Sequence, residues 1–168
     1  MHYCKYPSPL GMLTIASDNN SLIGLWIKGQ QHFCENFECN LATCMSDSTL
    51  KATRKWLDDY FDGKNPKINV LSLEPRGSVF QQMVWRHLVE IPYGSTTTYG
   101  QLASRIAAER GVARMSAQAV GGAISHNPIS IIIPCHRVIG VNSSLTGYAG
   151  GLEKKQWLLQ HEGIRNIK

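Results

Sequence analysis

Along the first 27 residues, apolar and polar positions alternate in short blocks. The blocks are broken at Pro7-Ser8-Pro9-Leu10-Gly11 and at Asp18-Asn19-Asn20, two runs of turn formers. They predict three short strands, over residues 2–6, 11–17 and 21–27. The third, Leu22-Ile-Gly-Leu-Trp-Ile27, is apolar at nearly every position, as in a strand covered on both faces. Residues 29–47 are polar and cysteine-dotted, and predict a loop. From Ser48 to Phe61 the period lengthens: Leu50, Thr53, Leu57 and Phe61 recur at helical spacing, and Gly63 stops the run. The first 75 residues therefore read as a small antiparallel sheet with one helix.

After Pro66, Pro75 and Gly77 the pattern becomes helical. Ser78-Val-Phe-Gln81 is a capping box ahead of apolar positions at Val79, Phe80, Met83, Val84 and Leu88, closed by Pro92-Tyr93-Gly94. Thr98-Tyr-Gly-Gln101 is a second box, opening a helix through Leu102, Ala103, Ile106 and Ala107 to a stop near Gly111. A third helix, Ser116 to His126, ends at Asn127-Pro128. Two helices joined by a short turn suggest a helix-turn-helix. The third helix contradicts its own propensity, because adjacent Gly121 and Gly122 cost roughly 1 kcal/mol each relative to alanine. Val120 and Ile124 can face a core, which leaves Gln118, Gly122 and Ser125 on the other face. Small residues there fit either tight helix packing or a backbone that must approach a ligand surface closely.

Composition narrows the class. With 43% hydrophobic and 17% charged residues and no run of 18 apolar positions, the 168-residue chain is neither disordered nor membrane-spanning. Met1 to Pro7 lacks the features of a secretory signal, and five cysteines are an odd number, so a reducing cytoplasmic setting with free thiols is expected. The net charge is +5, but residues 1–75 carry 7 basic and 8 acidic side chains while residues 76–168 carry 10 and 4. This predicts two units, 1–75 and 76–168, of which the second suits a polyanion.

The chemistry concentrates at Ser130-Ile-Ile-Ile-Pro-Cys135-His136-Arg137-Val138. Three isoleucines require burial and predict an extended backbone. They lead into a cysteine beside basic groups, which can lower a thiol pKa and make it nucleophilic. Strand neighbours point to opposite faces, so a turn is needed before His136 can serve Cys135. A buried, inert cysteine is the alternative. Asn142 to Gly151 is a run of turn formers carrying one phenol, Tyr148, and Leu152 to Glu162 reads as a helix closed by Gly163. Glu162 sits at the helix end where the dipole disfavours a carboxylate, so either it is solvated or it is held for a partner such as His136.

Together these residues resemble the O6-alkylguanine-DNA alkyltransferases, the methylated-DNA–protein-cysteine methyltransferases. The motifs are Ile-Pro-Cys135-His-Arg-Val138, Asn127-Pro128, Gly147-Tyr148-Ala-Gly-Gly151, Ile91-Pro-Tyr-Gly94, Thr98-Tyr-Gly-Gln-Leu102, Ala119-Val-Gly-Gly-Ala123 and Trp157-Leu-Leu-Gln-His-Glu-Gly163. They cover about Phe80 to Gly163, and Ser8-Pro-Leu-Gly11 looks like the family's first lobe. The resemblance implies an α+β protein: a ribonuclease H-like N-terminal lobe, then a mostly helical lobe with a winged-helix-like helix-turn-helix. It implies minor-groove binding to double-stranded DNA, flipping of an O6-alkylguanine and irreversible transfer of its alkyl group to Cys135.

In that reading His136 is the base, acting through water and oriented by Glu162. Asn127 holds the turn after the recognition helix, and Tyr148 protonates the departing guanine. Tyr99 presses on the phosphate, Gln118, Ala119 and Gly122 face DNA with Arg137, and Val138 and Ala149 line the base pocket. Many members have arginine where this chain has Gln118, which removes a charge from the intercalating side chain. The link Arg110 to Met115 also looks longer than in other members. Relatives that bind lesions without repairing them replace the cysteine with tryptophan, and Cys135 is retained here.

A cysteine hydrolase would use the same Cys135 and His136 but needs an oxyanion hole. A helix-turn-helix regulator would usually dimerise, and no dimer helix is evident, so a monomer is expected. His32, Cys34, Cys39 and Cys44 raise zinc, which some relatives carry in this lobe. Their spacing lacks tight CxxC pairs, so they read as ordinary loop thiols and no cofactor is expected.

Overall fold

The computed structural model describes residues 1–35, 42–43 and 46–168. Three antiparallel strands, β1 (His2–Ser8), β2 (Gly11–Asp18) and β3 (Ser21–Ile27), form a meander, joined at the β1 edge by β4 (Ala42–Thr43), so the order is β3-β2-β1-β4. The two-residue β4 pairs in parallel with His2 and Tyr3, a departure from the loop expected there. Helix α1 (Ser48–Phe61), capped by the Asp47 carboxylate on Leu50 N, lies on the sheet and buries Leu50, Thr53, Trp56, Leu57 and Tyr60. On the other face Ile23, Trp26, Ala16 and Cys34 make a second apolar cluster. Both faces of β3 are thus covered, as its apolar run requires.

The second half is helical: α2 (Val79–Val89), α3 (Tyr99–Arg110), α4 (Ala117–Ser125) and α5 (Leu152–His161). Both capping boxes are formed, Ser78 with Gln81 and Thr98 with Gln101. Gly111 ends α3 in the left-handed conformation, at φ 64°. Val79, one of the apolar positions of α2, is exposed, because it occupies the first turn beyond the packed face. Val120, Ala123 and Ile124 of α4 are buried, and the Trp85 indole of α2 donates to the Ala123 carbonyl at 2.9 Å.

The two halves are joined through β3. Its free edge donates from Leu25 N to Pro128 O at 2.8 Å and accepts from Ser130 N at 2.9 Å, while Leu22 bridges Leu73. The strand therefore grips the segment that follows α4.

That segment corrects one expectation. The isoleucines are buried as required, but only Ile129 pairs as a strand; residues 130–133 turn back on themselves. Ile133 N donates to Ile129 O at 3.0 Å and Ile131 sits at φ 71°, in the left-handed region that a β-branched residue rarely adopts. The Asn127 side chain overrides the propensity. Its amide donates to Ile133 O at 2.8 Å, and its oxygen accepts from Ile129 N at 3.0 Å. The chain then enters a 3-10 turn, Cys135–Arg137, and β6 (Val138–Ile139), which pairs in parallel with β5 (Thr97–Thr98) at the start of α3.

Candidate active site

The 3-10 turn resolves the problem of adjacency, because neighbouring residues in a turn need not point to opposite faces of a strand. Cys135 and His136 are both buried, and the Cys135 thiol is free. A cavity of about 740 Å³ opens over Cys135 and is walled by α4 (Ala117, Gln118, Gly121, Gly122), by Tyr99, and by the loop Thr146 to Ala149. Burial pushes the Cys135 thiol up; Asn127, the Lys155 ammonium and the backbone N–H groups of Cys135 and His136 pull it back. The resting sulfur is a protonated thiol that needs a base.

Behind the cysteine lies a charged cluster closed from solvent. His136 Nε2 is 2.7 Å from Glu162 Oε1. Burial pushes the Glu162 pKa up, but the His136 and Arg137 bonds and charges outweigh it and hold the carboxyl well below the usual range. A carboxylate only accepts, so the His136 proton is on Nε2 and its neutral lone pair is on Nδ1. That Nδ1 is buried and has no hydrogen-bond partner among the described residues. Burial lowers the His136 pKa, partly opposed by Glu162, so the ring stays neutral and basic at pH 7.

Glu162 caps the C-terminus of α5 and accepts three further donors: the Tyr60 hydroxyl at 2.8 Å, Arg137 Nε at 2.8 Å with Nη2 at 3.0 Å, and Gly94 N at 3.2 Å. These offset the unfavourable helix end. Arg137, expected to face DNA, is instead buried against Glu162 and donates to Ile91 O at 2.6 Å. A guanidinium so enclosed supports the carboxylate and is turned away from the surface of α4. Val138 is likewise fully buried in β6 and does not reach the cavity, whereas Ala149 does.

Tyr148 projects from the loop on the other side. Its hydroxyl is enclosed without a well-formed hydrogen bond among the described residues, yet near enough to the Ser130 hydroxyl and the Cys135 thiol to be influenced by both. Burial keeps its pKa well above the normal phenol value, so it stays a proton donor. The Tyr99 hydroxyl donates to Thr146 O at 3.0 Å, which ties the α3 N-terminus to this loop. Gln118 and Ala119 are exposed on α4, and Gly122 faces open space: a Cβ there would meet no atom within 4 Å.

Two residues of the site carried no signal in a motif. Lys155 is fully buried, donates to Thr146 O at 2.7 Å and Gly147 O at 3.1 Å, and burial lowers its pKa to about 8. It precedes Leu158, Leu159 and Glu162 at helical spacing, so a lysine on an apolar stripe was the available clue. Tyr60 continues the buried stripe of α1 in the same way. Of the thiols set against zinc, Cys39 and Cys44 lie outside the described residues, and Cys34 is buried in the apolar cluster of β3.

Residues 1–75 match the family model described as 6-O-methylguanine DNA methyltransferase, ribonuclease-like domain, and residues 79–164 match 6-O-methylguanine DNA methyltransferase, DNA binding domain. The chain belongs to the 6-O-methylguanine DNA methyltransferase family. It is 41% identical over 167 residues to the methylated-DNA–protein-cysteine methyltransferase of Haemophilus influenzae, covering 99% of this chain and 89% of that protein. The corresponding protein of Methanosarcina acetivorans is 39% identical over 164 residues, covering 97% and 99%. The crystal structure of Mycobacterium tuberculosis OGT in complex with DNA superposes with a TM-score of 0.84 at 38% identity, covering 99% of this chain and 96% of that one.

Proposed function

We propose that this protein reverses DNA alkylation directly, by moving the alkyl group of an O6-alkylguanine in double-stranded DNA onto Cys135. The observation that carries the reading is a buried thiol at the base of a cavity whose wall is α4, backed by a neutral histidine oriented by an ionised carboxylate. His136 Nδ1 takes the thiol proton through a water, and sulfur attacks the saturated alkyl carbon. The S–C bond forms as the O6–C bond breaks. Tyr148 protonates the departing guanine, so the proton gained by His136 balances the one Tyr148 gives up.

The product is a thioether, which water does not cleave, so one protein repairs one lesion. That irreversibility distinguishes it from a cysteine hydrolase, which turns over. Gln118, Ala119 and Gly122 are read as the DNA-facing surface of α4, with Gln118 filling the gap left by the flipped base and Tyr99 supporting the phosphate through its ring. Arg137 is read as a positioning residue for Glu162. Among the described residues no helix is long and apolar enough to cross a membrane. We read the protein as a monomer of the reducing cytoplasm, where its thiol stays free.

The test is intact mass after incubation with an oligonucleotide duplex carrying O6-methylguanine. A gain of one methylene-equivalent on the Cys135 peptide, absent in Cys135→Ala, is expected. Tight binding with unchanged mass would leave only a binding protein, and release of free product with turnover would leave a hydrolase.

A further inference from the structure

Away from the cavity over Cys135, three side chains from opposite halves of the molecule converge. His32 and Glu35 lie in the turn after β3, and His126 caps the C-terminus of α4. Their potential ligand atoms all lie within 4.8 Å of one another. His32 Nδ1 is 2.8 Å from Glu35 Oε2, and His126 Nε2 is 3.7 Å from the same oxygen. The imidazoles stack with centroids 3.8 Å apart.

The tautomer of His126 follows from its other nitrogen. Nδ1 lies 2.8 Å from the Gly122 carbonyl, an acceptor only, so Nδ1 carries the proton and Nε2 presents its lone pair to Glu35 and His32. A carbonyl on the far nitrogen is the usual support of a metal-ligating histidine. Two ligands bound about 2.0–2.1 Å from a tetrahedral ion are about 3.3 Å apart, and the two nitrogen–oxygen distances bracket that figure. The side chains are 29%, 45% and 33% exposed, which leaves an entry path and room for water as a fourth ligand.

We propose that His32, Glu35 and His126 bind a divalent transition-metal ion, with Zn2+ the best match to two imidazoles and one carboxylate. Magnesium and calcium prefer all-oxygen sites and do not suit the nitrogen pair. The sequence expectation paired His32 with cysteines. Cys34, two residues on in sequence, is instead buried with Ala16, Ile23 and Trp26, so among the described residues the donor set is nitrogen and oxygen. The ion would tie the turn after β3 to the residue immediately before Asn127. Gln31 and Ser125, neighbours of two of the ligands, line the cavity over Cys135, so occupancy would brace its rim.

Titration of the reduced full-length protein with Co2+, followed by absorption, tests the assignment. One equivalent should bind with ligand-field bands and no thiolate-to-cobalt charge transfer, and Zn2+ should displace it. Glu35→Gln and His126→Gln should each weaken binding at least about tenfold. Zn2+ should raise the Tm of the wild type and of neither variant. A thiolate charge-transfer band, wild-type affinity in both variants, or no binding at all would overturn the proposal. Glu35 is the most exposed of the three, so Glu35→Gln decides the matter even if His126→Gln fails to fold.

Discussion

Behind Cys135, the Glu162 carboxylate accepts from Tyr60 of α1, from His136 and Arg137 of the 3-10 turn and from Gly94 after α2, so three separate parts of the fold hold its partners. In front of it, among the described residues, the Tyr148 hydroxyl has no well-formed bond, Gly122 faces open space and Gln118 projects into solvent. The inner side is satisfied and organised before any ligand arrives. The outer side holds its polar capacity and its free space in reserve. Buried charge is tolerable only when paired, so the inner side has little freedom to vary. The outer side is set by what must fit against it.

The largest expected effect comes from breaking the inner side. Glu162→Ala leaves Arg137 and His136 enclosed without their acceptor, and should destabilise by about 3–5 kcal/mol in urea unfolding. A loss below about 1 kcal/mol would mean that the cluster contributes nothing.

Next comes pH. His136 is lowered in the folded protein, so below the ordinary value of about 6.5 the unfolded chain binds a proton that the native state refuses, and stability falls as pH falls through that region. Glu162 is also lowered, so its contribution is present above about pH 4.3 and is lost on further acidification. The single-turnover rate with saturating DNA should accordingly stay flat from about pH 8 down to about 6.5 and decline only below. A limb centred above pH 7 would show that His136 is not held neutral.

On the outer side the effects are smaller and should separate binding from folding. Gln118→Ala should slow repair of duplex DNA by about tenfold, near 1.4 kcal/mol, and leave the reaction with the free alkylated base little changed. Equal slowing of both would remove the wedge role. Gly122→Ala should raise stability by up to about 1 kcal/mol, since alanine favours the helix and the new methyl meets nothing. The same change should weaken DNA affinity. Unchanged affinity in a filter-binding or anisotropy titration would mean that the glycine does not serve close approach.

Much of this was readable from the chain. The strands, both capping boxes and the break after α4 followed from period and turn chemistry, whereas the grouping of Cys135, His136, Asn127, Tyr148 and Glu162 came with the family resemblance. Misreadings arose where a local preference met a tertiary constraint. The isoleucine run favours an extended chain, but Asn127 folds it into a turn, and only the burial of the isoleucines survived as a correct inference. Arg137 looked like a DNA-facing residue because charge alone does not reveal direction, and the Glu162 carboxylate draws it inward. Lys155 and Tyr60 belonged to no motif, since their roles arise from contacts with residues far away in sequence.

The grip of β3 on the segment after α4 has a kinetic consequence. Leu25 and Ser130 are hydrogen-bonded across more than a hundred positions of chain, and Gln30 and Ser130 across 100 through their side chains. Contacts of such separation require a large loop to close before they contribute. The turn bearing the nucleophile therefore cannot mature while the first half is unformed, and a nascent chain acquires reactivity only once its earliest strands have met nearly its last helix. Under the proposed one-lesion chemistry, this delays exposure of a competent thiol until the molecule holding it is complete.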